Sequence, residues 1–136
     1  MLQPINLDFD KNDLYVTLSY TDSTIPKSIE KAERICSDYI RQVKHAREEL
    51  GLPPLKYIKV TSCKEGKDET PTRIYHHIVM SGGLDRDFLE EKWGLGFANV
   101  NRLQTPEGSL EGLYKHLMFI CRRSKGLISA EGISFK

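Results

Sequence analysis

The 136 residues are 39% hydrophobic and 29% charged with a formal net charge of +1, the composition of one ordinary globular domain. The near-neutral charge excludes a strongly acidic DNA mimic, and no run of about 18 apolar residues is present to span a membrane as a helix. The start, MLQPINLDFD, lacks the basic-then-apolar layout of a secretory leader. Cys36, Cys63 and Cys121 are odd in number, far apart and without metal spacing, so they read as free thiols of a reducing cytoplasm.

The segment DLYVTLSY (13–20) alternates, with Leu14, Val16, Leu18 and Tyr20 on one face of a half-buried strand. TDSTIP turns the chain. From about Lys27 to Leu50 the apolar positions Ile29, Ala32, Cys36, Tyr39, Val43, Ala46 and Leu50 recur in steps of three and four, one stripe on a long amphipathic helix. Gly51 and then Pro53-Pro54 end it. LKYIKVTSC (55–63) is a second strand, with Leu55, Tyr57 and Lys59 on one face and Lys56, Ile58 and Val60 on the other. KEGKDETPT reads as a charged loop. RIYHHIVM (73–80) is a third strand, antiparallel to the second because the link is short. Gly82-Gly83 turn into a second helix with Asp85 as N-cap, Leu84 and Leu89 as a hydrophobic staple, and Phe88, Leu89 and Trp93 as its buried face. Gly94 ends that helix, and FANVNRL (97–103) is a fourth strand. A third helix starts near Ser109 with Leu110, Leu113, Leu117 and Ile120 in its stripe. The remainder, CRRSKGLISAEGISFK, is basic and weakly patterned.

The order βαββαβ plus a C-terminal helix is two βαβ halves joined by a hairpin. It predicts an α+β, ferredoxin-like split fold, an antiparallel sheet with helices on one face, over the single domain 1–136. That fold hosts many functions and decides no chemistry.

Charge is uneven. Residues 1–24 carry a net −3, and residues 115–136 a net +4 from Lys115, Arg122, Arg123, Lys125 and Lys136 against Glu131. The basic end could contact phosphate or a partner; a solvated basic tail explains it equally well. Gly82-Gly83 and Gly94-Leu95-Gly96 lack the strand–turn–helix context and the lysine of a phosphate loop. Glu90-Glu91 read as a solvated helix face, and Trp93 as a core anchor. In TRIYHHIVMSGG (72–83) the adjacent His76 and His77 must point to opposite sides of the sheet, so they do not chelate one ion together. His77 shares its face with Tyr75. A lone strand histidine is more often a hydrogen-bonded structural residue than a ligand, because an ion needs several donors.

Four ordered stretches, LPPLKYIKVT (52–61), RIYHHIVMSGGLDRD (73–87), WGLGFANVNRLQ (93–104) and SLEGL (109–113), together resemble rolling-circle replication initiators. These are the HUH endonucleases of phages and plasmids, in the branch related to filamentous-phage replication proteins, and the likeness runs over roughly residues 13–128. The resemblance implies the same split sheet. It also implies a single-stranded DNA nickase whose Tyr forms a phosphotyrosine bond, assisted by Mg²⁺ or Mn²⁺ on two His and a carboxylate.

Carried over residue by residue, that machinery is degenerate. With the register set on Ser81-Gly82-Gly83, the family's second His is His77 and its first is Tyr75. The carboxylate position is Ser62, the nucleophile position His116, and the Lys one turn on is Phe119. Tyr114 stands two residues from His116, a rotation of about 200° on a helix, and points away. The resemblance therefore implies a catalytically inactive initiator-like domain with no metal cofactor. Its expected task is binding, either to a protein in a host defence or replication complex, as an inhibitor of the anti-CRISPR type, or to single-stranded DNA, in the host cytoplasm and away from membranes. The alternative is a metal-dependent nicking or DNA-binding initiator in which Tyr114 or Tyr75 has taken the nucleophile's role.

Overall fold

The computed structural model of the chain describes residues 9, 11–66, 71–103 and 125–131. The elements are β1 (Leu14–Ser19), α1 (Ile29–Glu49), β2 (Tyr57–Glu65), β3 (Pro71–Met80), α2 (Arg86–Trp93), β4 (Ala98–Arg102) and β5 (Lys125–Glu131). The strands form one sheet in the order β4-β1-β3-β2-β5, and every neighbouring pair is antiparallel. The first four strands and two helices are the expected ferredoxin-like split arrangement. The expected third helix lies outside the described residues.

Local chemistry sets the boundaries. Ser28 caps α1, its hydroxyl accepting from Lys31 N at 3.1 Å. At the other end Gly51 takes φ 70°, and Leu52 N donates back to Arg47 O at 2.9 Å, a left-handed stop that a side chain would strain. Asp85 caps α2 by accepting from Asp87 N at 2.9 Å, and Gly94 closes it in the left-handed region.

Strand alternation divides the residues between two faces. Leu14, Val16 and Leu18 of β1, Ile74, His76, Ile78 and Met80 of β3, and Tyr57, Lys59, Thr61 and Cys63 of β2 share the face beneath the helices. Cys36, Tyr39, Ile40 and Val43 of α1 and Leu89 and Trp93 of α2 close the core over it. Cys36 and Cys63 are both buried; Cys121 lies outside the described residues. Tyr15, Thr17, Ile58, Val60, Ser62, Tyr75, His77 and Val79 point the other way. Among the described residues no helix is long and apolar enough to cross a membrane.

Two parts of the chain depart from expectation. The β2–β3 ladder continues through Lys64 opposite Arg73 to Glu65 opposite Pro71, so much of the supposed charged loop is hairpin. Its polarity reports the exposure of Lys64 and Thr72, not the backbone state. The weakly patterned basic end holds β5, which pairs with β2 from Cys63–Lys125 to Tyr57–Glu131. An edge strand has one partner only and needs less apolar alternation to be held.

Candidate functional site

Ser62, Tyr75 and His77, the positions expected from the resemblance that fall among the described residues, gather on the face opposite the helices. Across the sheet Ser62 and Ser19 flank Tyr75, while Val60 and Thr17 flank His77. The Tyr75 and His77 rings stack, with centroids 6.2 Å apart and planes at 25°. Tyr15 reaches His77 diagonally, its hydroxyl hydrogen-bonded to Nδ1 at 3.2 Å and its ring edge-on at 6.1 Å. Burial pushes the Tyr15 hydroxyl up to about 12, so it stays a protonated phenol. One strand pair further along this face, exposed Lys64 stands opposite exposed Arg73. The patch thus runs from two cations to two serines and three rings.

These residues do not suit a Mg²⁺ or Mn²⁺ ion of the kind the resemblance implies. The donors are one imidazole, two phenols and neutral hydroxyls, with no anionic oxygen to offset dehydration of a hard cation. Among the described residues no cluster of three or more His, Cys, Asp or Glu is placed to hold an ion. His116, Phe119, Tyr114, Lys115, Arg122 and Arg123 lie outside the described residues. Lys125, read from sequence as part of a basic tail, is instead the first residue of β5, facing Cys63 across the ladder.

His76, next to His77 in sequence, belongs to a different environment. It is fully buried beneath the helices. Thr61 Oγ1 lies 2.7 Å from Nδ1 and the Tyr20 hydroxyl 2.7 Å from Nε2, so both nitrogens are satisfied by groups able to donate or accept. Trp93 packs edge-on at 5.8 Å. Burial first, then the nearby charge of Lys59 and His77, lower the His76 pKa to about 3, and the ring is neutral across the physiological range. The same layer holds an ion pair, Lys59 Nζ to Glu33 Oε2 at 3.0 Å, with the lysine side chain only 3% exposed. Cys36 lies in this electrostatic neighbourhood, and burial pushes its thiol up to about 12; such a thiol is inert.

Three residues of these sites escaped the sequence reading. Tyr15 was the available clue on β1, since it falls between buried positions and therefore on the His77 face; its pairing with β3 is not visible from one strand. Tyr20 and Thr61 meet His76 only through register. Glu90, read as solvated, accepts from Val100 N at 2.9 Å and covers an outward-facing amide of edge strand β4. Trp93 is the core anchor expected, and its indole N–H also donates to Ser19 O at 2.6 Å.

Comparison of the chain with protein-family models, with curated proteins and with solved structures finds no match.

Proposed function

We propose that this chain is a non-catalytic binding domain of initiator-like descent, acting in the host cytoplasm by occupying a protein partner in a DNA-targeting defence complex. The observation that carries the non-catalytic reading is the setting of His77: Tyr75 stacks on its ring, Tyr15 engages its Nδ1, and Ser62 stands where a carboxylate would be needed. Phosphodiester transfer in the resembled family needs an ion to balance charge on the phosphate and a phenolate aligned for attack. A face whose donors are one imidazole, two phenols and hydroxyls offers no anionic oxygen to hold such an ion. The partner class rests on the resemblance to phage and plasmid proteins and on the near-neutral net charge, which disfavours mimicry of DNA. The test is a plasmid-interference assay in cells carrying a DNA-targeting CRISPR system. Expression of the chain is expected to restore transformation by a targeted plasmid, and Tyr75→Ala/His77→Ala to lose that effect; unchanged interference would refute the inhibitor reading.

One observation favours a second reading, retention of single-stranded DNA. Lys64 and Arg73 sit beside the Tyr75, His77 and Tyr15 rings on one face, and cations beside flat rings suit a phosphate backbone and stacked bases. Fluorescence anisotropy with single-stranded oligonucleotides separates the two. Salt-dependent binding that Arg73→Ala weakens would favour this reading, and a nick formed in the same mixture would favour the metal-dependent initiator.

A further inference from the structure

The helical layer, on the far side of the sheet from His77, carries a groove that neither reading uses. α1 and α2 lie side by side and run in opposite directions. Tyr39 meets the end of α2, its hydroxyl donating to Leu89 O at 2.7 Å and its ring 5.6 Å from Trp93. Arg47, near the end of α1, donates to Gly82 O at 2.8 Å just ahead of α2. Between the helices opens a cleft of about 690 Å³. Ala46, Leu84 and Phe88 give it an apolar floor, and Leu50, 67% exposed, stands at its lip.

The charges along this cleft are sorted by end. Because the helices are antiparallel, Arg41 of α1 and Lys92 of α2 fall at one end, and Glu49 of α1 and Asp85 at the cap of α2 fall at the other. His45 stands midway between Arg41 and Glu49, which are about 12 Å apart along the helix at 1.5 Å per residue.

The geometry points to a second copy of this chain as the occupant, related by a two-fold axis that passes near His45 perpendicular to α1. Such an axis reverses α1 and α2, so Arg41 and Lys92 of one copy face the acidic end of the other, and each acidic end faces a basic one. The surface is its own complement, the condition for an isologous dimer. Leu50 of each copy is then covered by the aliphatic stems of Arg41 and Lys92 of the other. An acidic peptide or an anionic membrane would meet Glu49 and Asp85, and a basic partner would meet Arg41 and Lys92, so each satisfies half the groove and is repelled by the rest. The intrachain pairs Arg41–Asp38 at 2.7 Å and His45–Glu49 at 3.0 Å do not oppose the exchange. All four side chains are more than 60% exposed, and pairs of that kind contribute little.

Sedimentation velocity on the full chain over a concentration series tests the assignment. The wild-type chain is expected to dimerise. Arg41→Glu and Glu49→Arg each place like charges across the axis and should weaken association about tenfold or more, roughly 1.4 kcal/mol. The double variant Arg41→Glu/Glu49→Arg restores every pairing and should dimerise again, as should an equimolar mixture of the two single variants. Both positions are exposed, and circular dichroism of each variant checks that the fold persists. A wild-type chain that stays monomeric up to its solubility limit overturns the proposal. So does a dimer indifferent to the single reversals, or one that the double reversal does not rescue.

Discussion

His76 and His77 are neighbours in the chain and share almost nothing else. The first is sealed under two helices with both nitrogens held at 2.7 Å by hydroxyls; the second lies on the opposite face among Tyr15 and Tyr75, half-buried. The pleat alone makes this division. The same imidazole is a structural polar keystone on one side and a candidate contact residue on the other. A residue's type therefore says less about its role than the face to which its register assigns it.

The largest expected effect is on the helix side. His76→Ala removes a buried ring, opens a cavity beside Trp93 and strands the Thr61 and Tyr20 hydroxyls, which should cost about 4 kcal/mol. His77→Ala should cost no more than about 1 kcal/mol. Urea unfolding of the two variants measures the difference, and equal losses would break the comparison.

A second effect tests the ion pair on the same side. Glu33→Ala leaves the Lys59 ammonium buried without its partner and should cost about 3 kcal/mol. The paired change Glu33→Leu/Lys59→Met should recover most of that, because the charge itself is then gone. If the double variant is as unstable as the single one, packing and not charge is what Glu33 supplies.

A smaller effect follows from protonation. The folded His76 pKa of about 3 lies below the ordinary value near 6.5, so between those limits the unfolded chain binds a proton that the folded chain does not. The stabilisation from keeping His76 neutral is complete above pH 6.5 and is lost as pH falls towards 3, at about 1.4 kcal/mol per pH unit. Urea midpoints measured from pH 7 to pH 5 should fall in the wild-type chain and fall less in His76→Gln. Parallel profiles would mean that His76 is not sealed from solvent protons.

The smallest effect belongs to the other face. Tyr15→Phe removes one hydroxyl from the His77 contact while keeping the ring, and should shift stability by less than about 1 kcal/mol. Its value is in sharpening the contrast: a binding defect without a stability defect would mark the His77 face as a contact surface.

Much of this division was legible in the amino-acid sequence. The stripe from Ile29 to Val43, the alternation of Leu14, Val16 and Leu18, and the Asp85, Gly51 and Gly94 boundary residues are local signals with local causes, and the structure bears them out; Leu50, expected to close the stripe, is instead the exposed C-cap of α1. Alternation likewise separated His76 from His77. Register between strands was not legible, because no residue of β1 announces which residue of β3 it will face. The Tyr15–His77 and Tyr20–His76 contacts, 62 and 56 residues apart in sequence, depend on it. β5 was missed for another reason: Lys125–Glu131 mixes glycine, charge and small residues, and its pairing partner β2 supplies the order that its own pattern does not.

The most direct test of the central claim, that the His77 face is not a nicking centre, is incubation of the full chain with single-stranded and supercoiled DNA in the presence of Mn²⁺, resolved on a denaturing gel beside a His77→Ala control. The proposed reading expects intact DNA and no covalent protein–DNA adduct in either lane. A Mn²⁺-dependent nick made by the wild-type chain and abolished by His77→Ala would contradict it.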